Sequence, residues 1–445
     1  MKKRRKIKFE RMLIVDSAVS IKKRNSAYWL LIVSSFVLYV VMTCSKNLYV
    51  AEKTTLYTLG SFGNLTDLAA TMEYYFYTYS IAQIFMVFIM KRLNLKWYVS
   101  LSVGASALIT VLMAFTGNIV EHYVLFTING FFQACLWGCQ IKIFSMYLPK
   151  RLLPTANQLA TSGPAVAGAL AYGVAALFGE SWRVPFFVMG VVLLVSVILY
   201  FFAVTNAARF PVENETHHMV YADGREDDVS DEEENDFIHL NSKKRVAWFY
   251  VLSVIVGALV TSLYFAVNNN LDIFLKEIGG LSNDNAKLLT IFAPLVAAIG
   301  PIVVVRICEK YNNFIAVCGI CFAVSMAFLF VLLMVFEVNV ILSLVLVIVF
   351  LTIVNGGRSI SLSIAALRMR KKVDSGVYST VVNVASSLAL GLSPKMIAVI
   401  LDNNTLSVEE SWRSSLNLVL AIGLFTVALL FALVFLIKRV NKKTD

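Results

Sequence analysis

Twelve apolar runs, each close to the length that crosses a hydrocarbon core, can be laid along this chain, and they leave few architectures open. They fall at 28–50, 71–90, 97–116, 123–147, 155–178, 184–206, 246–268, 288–306, 313–336, 339–367, 376–401 and 412–437. With 58% hydrophobic and 15% charged residues and a mean hydropathy of +0.74, there is too little polar surface to enclose a soluble core. The expected fold class is an all-α membrane protein of twelve transmembrane helices, because a helix satisfies its own backbone groups in lipid.

The basic residues test this map. The N-terminus, alternate loops and the C-terminus hold 30 of the 39 Lys and Arg, and the opposite side holds 5. Basic residues mark cytoplasmic loops, so both termini are expected in the cytoplasm, with the chain a multi-pass protein of the cell membrane. The net charge of +11 is interleaved with the spans and forms no single patch, so it reports topology and predicts no nucleic-acid partner. The six cysteines sit mostly inside apolar runs without the acidic or His companions of a metal site. No phosphate-binding GxxxxGK[ST] loop occurs, and neither a cofactor nor a metal is expected.

The spans divide six plus six. The expected organisation is a basic N-terminus at 1–27, a six-helix bundle at 28–206, a cytoplasmic linker at 207–245, a second bundle at 246–437 and a tail at 438–445. The linker carries Asp231-Glu232-Glu233-Glu234, a composition that suits a solvated tether and also suits recruitment of a partner. The halves echo each other: Ser181-Trp182-Arg183 precedes the sixth span and Ser411-Trp412-Arg413 the twelfth. Lys150-Arg151 precedes the fifth span as Arg370-Lys371-Lys372 precedes the eleventh. Such internal repeats are a habit of transporters. On the fifth span, Gly163, Ala167, Gly168 and Gly173 predict close helix approach. Gly391-Leu392-Ser393-Pro394 predicts a weak point in the eleventh.

Ionisable residues inside spans are costly and are functional candidates. Four cations qualify: Lys46, Lys142, Arg358 and Lys395. Lys142 lies about 5 residues, or ~8 Å, from its helix end, within reach of snorkelling to the interface. Arg358 and Lys395 are deeper, while Lys46 suits either role. Glu73, Glu121, Asp272 and Glu337 all fall near span ends, so no acid is expected as deep as these cations. That imbalance makes the substrate the expected counter-charge. Glu73 is the candidate proton carrier, and Asn47, Tyr264, Asn268 and Asn383 are candidate polar lining residues. Asn268-Asn269-Asn270 also predicts a helix break.

Several pieces together resemble a known family. They are Gly130-Phe131-Phe132-Gln133 with Trp137 and Lys142 on the fourth span, the small-residue fifth span, Trp182-Arg183, Ser45-Lys46-Asn47, and Leu275-Lys276-Glu277. Twelve spans in a six-plus-six repeat resemble the major facilitator superfamily, and within it these pieces resemble the organophosphate:phosphate antiporters, the glycerol-3-phosphate and hexose-phosphate carriers. The resemblance implies one phosphate-gripping arginine on the first helix and one on the seventh; the matching positions here are Ser45 and Tyr264. The family's Asp-Arg pair after the second helix is matched by Lys91-Arg92, and the later copy keeps an acid in Glu309-Lys310.

The expected function is secondary transport of a small anionic organic solute by alternating access, with exchange as the coupling, by a monomer in the bilayer. Two other readings stand beside it. One is a proton-coupled importer of a neutral polar solute, or a drug exporter, as the absent arginines permit. The other is a transporter-like sensor acting through a partner protein, which the resembled family includes and the acidic linker suits.

Overall fold

The computed structural model describes residues 2–60, 62–89, 92–210, 243–311, 314–359, 375–403 and 405–441. The linker acids Asp231 to Glu234 and the basic run Arg370 to Lys372 lie outside the described residues. Among the described residues the fold is all helical and the helices make twelve passes. In the first half, α1 spans Lys2–Leu59, α2 Leu65–Ile89 and α3 Leu95–Met113. α4 runs Ile119–Gln133 and resumes as Leu136–Tyr147, followed by α5 at Leu153–Phe178 and α6 at Arg183–Ala207. In the second half, α7 spans Lys243–Asn268 with a short continuation Leu271–Glu277. α8 is segmented into Asn283–Thr290, Phe292–Ala297 and Ile299–Tyr311. α9 covers Phe314–Val335, α10 Val340–Ser359, α11 Ser375–Leu401 and α12 Val408–Asn441.

Ten of these passes are apolar and long enough among the described residues to cross a bilayer without further argument. α2 is less apolar because it carries Asp67, Glu73 and four tyrosines. Each half builds its own core. Tyr49, Phe126, Phe144, Phe186 and Tyr200 are sunk in the first, and Phe322, Phe336, Phe350 and Trp412 in the second. Large apolar side chains such as Leu101, Phe202, Phe330 and Phe425 stay exposed on the periphery, where only lipid can cover them. The end of the bundle that carries the chain termini is called proximal below, and the opposite end distal.

The small residues of α5 act as the sequence suggests. A Cβ at Gly163 would lie 2.8 Å from the Tyr39 ring, and one at Gly168 would lie 3.3 Å from Pro294. Glycine is therefore what lets α5 press against α1 on one side and α8 on the other. The expected weak point in α11 is different: the helix continues through Pro394 to Leu401. Close packing holds it, since a Cβ at Gly391 would sit 3.0 Å from Phe76 Cβ and 3.2 Å from Glu73 Cα on α2.

The paired Ser-Trp-Arg motifs occupy equivalent places. Trp182 is buried against Phe62 and His122, and Arg183 reaches the Thr116 carbonyl just past α3 at 3.3 Å. Trp412 is buried against Phe274, and Arg413 reaches Glu337 just past α9 at 2.6 Å. In each half, the arginine opening the sixth helix thus fastens onto the end of the third.

Candidate functional site

Two of the four embedded cations come together between the halves, one from each. Lys46 on α1 carries its ammonium 5.5 Å from the Phe76 ring centre on α2. Arg358 near the end of α10 lays its guanidinium over Tyr264 and Phe265 of α7, at 5.7 and 5.1 Å. Its Nη1 donates to Asn355 Oδ1 at 3.2 Å, and Asn355 is itself fixed by donating Nδ2 to the Ala297 carbonyl at 2.9 Å. Lys46 and Arg358 are near enough for their charges to act on each other, and Arg358 also acts on Tyr39 and Tyr264. Among the described residues neither cation has a carboxylate partner. Aromatic faces attract cations through their quadrupoles, so the rings hold both groups in place while leaving their charge unneutralised.

The other sequence candidates lie elsewhere. Lys395 does not await a substrate charge: its ammonium pairs with Glu73 at 2.6 Å across the α2–α11 contact. Tyr77 also donates to that carboxylate. The expectation that embedded cations lack matching acids thus fails for Lys395, because one helical turn of α2 faces it directly, and stands for Lys46 and Arg358. Lys142 sits half-buried one turn after Cys139 on the proximal part of α4. Asn47 lies beside Gly168 at the α1–α5 contact, and Asn383 is half-buried on α11. Ser45, next to Lys46, belongs to a buried network inside the first half. Gln133 accepts from Tyr75 at 2.7 Å and donates to Ser106 at 2.9 Å and to Ser45 at 3.3 Å.

At the distal end a second cluster appears that sequence reasoning missed. Lys287 of α8 forms a 2.8 Å ion pair with Glu52 of α1 and donates to Thr55 at 2.7 Å. Lys53 donates to the Asn269 carbonyl and to Asn270 Oδ1, both at 2.7 Å, and Thr54 donates to Asp272. Glu52, Lys53, Asp272 and Lys287 are all buried, at 0–2% exposure. Lys53 and Lys287 read in sequence as loop residues, and Asp272 as a span-end residue. The helices run further than the apolar windows, with α1 reaching Leu59 and α8 opening at Asn283, which carries these charges inside. The signal was the continuous helical pattern of Glu52 to Leu59, which contains no breaker.

The break expected at Asn268 to Asn270 is present, between Asn268 and Leu271. It serves this distal cluster, because the interrupted helix offers a carbonyl and an amide oxygen to Lys53. Asn268 also donates to Asn269 at 3.2 Å. Nearby, Asp402 at the end of α11 accepts from the backbone N–H groups of Leu65 and Thr66 at 3.2 and 2.6 Å. The first turn of α2 therefore takes its anionic cap from the other half.

The major facilitator superfamily model matches residues 26–394, most of the chain and parts of both halves. The chain belongs to the major facilitator superfamily. It is a transporter, not an enzyme. No curated protein sequence matches it. Among solved structures, it is similar to a bacterial homologue of the human lysosomal transporter Spinster in its inward-facing, unoccupied conformation. The TM-score is 0.73 at 13% identity, covering 91% of this chain and 96% of that one. The nucleoside transporter NupG aligns with a TM-score of 0.61 at 14% identity over 90% of this chain and 98% of that one. A D-xylose-proton symporter aligns with a TM-score of 0.68 at 11% identity over 90% of this chain and 97% of that one. At such identities the likeness establishes the fold of this transporter and leaves its solute to the site itself.

Proposed function

We propose that this transporter moves a small organic anion across the cell membrane, exchanging it by alternating access at a site formed by Lys46 and Arg358. One observation carries the reading: cations from opposite halves face each other without an acid, while the embedded acids Glu52 and Glu73 are each paired with a lysine. A low-dielectric site with uncompensated positive charge attracts an anion strongly and excludes cations. The aromatic rings under both groups, with Tyr264 beneath Arg358, suit an organic body.

The resemblance to organophosphate carriers fits in part. The two positions matched to phosphate-gripping arginines hold Ser45, tied into the first-half network, and Tyr264, which lies beneath Arg358. In this reading each lost arginine is replaced by a cation nearby, at Lys46 on the same helix and at Arg358 on α10. With both termini cytoplasmic, as the basic loops favour, the interlocked distal end faces outward. The halves at 28–206 and 246–437 then rock as monomeric bodies about the site, joined by the linker at 207–245. Such a conformation is inward-facing, the state of the similar Spinster homologue.

Counterflow in proteoliposomes without a proton gradient tests the reading. Lys46→Gln and Arg358→Gln should each slow anion counterflow at least tenfold. Intact transport in both variants, or uptake restricted to neutral solutes, overturns it. A proton-coupled reading also has a specific support, the Glu73–Lys395 pair that joins the halves and would break when Glu73 binds a proton and re-form when it releases it. Proton uptake on substrate addition, abolished in Glu73→Gln, would replace exchange with symport.

A further inference from the structure

Resting on the anion reading above, we infer that the solute is a small dicarboxylate, with one carboxylate held side-on by Arg358 and the other by Lys46. The starting point is which edge of Arg358 is left without a partner. A guanidinium offers two forks, one across its two terminal nitrogens and one across Nε and a terminal nitrogen. Nη1 is already committed to Asn355 at 3.2 Å, which occupies part of the end-on fork. Nε is buried, and no hydrogen-bond partner reaches it. Tyr264 and Phe265 lie against the guanidinium at 5.7 and 5.1 Å and offer it no hydrogen-bond acceptor in its plane. What remains without a partner is the Nε–Nη2 edge, whose two parallel N–H donors match the two oxygens of a carboxylate.

The second carboxylate follows from charge and placement. Lys46 stands on the other half, over its own ring at Phe76, with no acid of its own among the described residues. Glu52 and Glu73 are already paired with Lys287 and Lys395, so neither neutralises the site. A doubly charged ligand balances the two cations. Because the cations belong to different halves and rest on different rings, the ligand best suited has two separated anionic groups, where a single phosphoryl group would concentrate its charge at one point. A dicarboxylate spanning α1 and α10 would also tie its own binding to the approach of the two halves.

The test is binding and exchange by the full chain in proteoliposomes with linear dicarboxylates of two to six carbons, each compared with its monocarboxylate and diamide, and with glycerol 3-phosphate. At least one dicarboxylate is expected to bind tenfold or more tightly than its monocarboxylate and to drive counterflow, while its diamide does neither. Arg358→Lys keeps the charge and removes the fork, and should weaken dicarboxylate binding at least tenfold. Lys46→Gln replaces a half-buried side chain with a polar one of similar size and should erase the preference for two carboxylates over one. Tighter binding of glycerol 3-phosphate than of every dicarboxylate overturns the dicarboxylate and leaves the anion reading standing. Binding of the diamides or of neutral solutes alone overturns both. An Arg358→Lys protein that binds dicarboxylates as well as the parent overturns the side-on fork.

Discussion

Lys287 and Glu52 meet at 2.8 Å between the two halves, and neither side chain is exposed. The pair cannot be hydrated while the distal end is shut, yet a transporter that alternates must open that end. Removing one partner leaves the other charge buried alone, which costs about 3–5 kcal/mol. The cost falls on the closed state alone, because water reaches the surviving charge once the halves part.

Lys287→Met is therefore expected to shift the population toward distal opening by a hundredfold or more, since every ~1.4 kcal/mol is a factor of ten. Hydrogen exchange in Asn283–Thr290 should rise sharply in the single variant. It should fall back in Glu52→Gln/Lys287→Met, where no buried charge is left unpaired. Equal exchange in the single and double variants would show that the ion pair does not hold this end.

A contrast within the second Ser-Trp-Arg motif separates a buried anchor from an exposed ion pair. Trp412 is buried against Phe274 at 5.1 Å and donates to Glu277 at 2.8 Å. Arg413 and Glu337 pair at 2.6 Å, with side chains 47% and 40% exposed. Trp412→Ala should cost about 3–5 kcal/mol by losing a large buried side chain. Arg413→Ala should cost less than about 1 kcal/mol, the range of exposed pairs. Denaturant unfolding in mild detergent measures both, and a large loss in Arg413→Ala would mean that the repeat fastens through its charges.

The architecture was legible because its signals are long and periodic. Spans near 20 residues, the charge imbalance and the twin motifs each carry many residues, and one misplaced end changes none of them. Lys46 and Arg358 were legible as embedded cations, since they stand out in apolar surroundings. The partners were not. Lys395 looked as free as Arg358 because nothing in sequence says that α2 turns Glu73 toward α11. Glu52, Lys53 and Lys287 fell outside hydropathy windows that end where charges begin, although their helices do not. A window average cannot distinguish a charge in a loop from a charge sealed against the opposite half.

Gly391 permits the α2–α11 contact that carries the Glu73–Lys395 pair. A Cβ there would sit 3.0 Å from Phe76 Cβ and 3.2 Å from the Glu73 backbone. Because Phe76 also underlies Lys46, the strain would reach the central site. Gly391→Leu should lower transport at least tenfold, whereas Leu392→Ala on the exposed side of the same turn should change it less than twofold. Similar losses in both would point to general damage to α11.

Tyr264 offers the narrowest test of how Arg358 is held. Its ring lies 5.7 Å from the guanidinium, and a cation over an aromatic face gains roughly 0.5–2 kcal/mol, depending on its exposure to water. Tyr264→Phe keeps the ring and should leave solute affinity within about twofold of the parent. Tyr264→Leu removes the face while keeping apolar bulk, and should weaken affinity by about two- to thirtyfold, the same energy expressed as a binding ratio. Thermal stability of the Leu variant should stay close to that of the Phe variant, because Phe265 still lies against the guanidinium at 5.1 Å. If Phe and Leu weaken binding equally, the phenol hydroxyl is the contributing group, and Tyr264 meets the solute by hydrogen bonding instead of aligning the arginine.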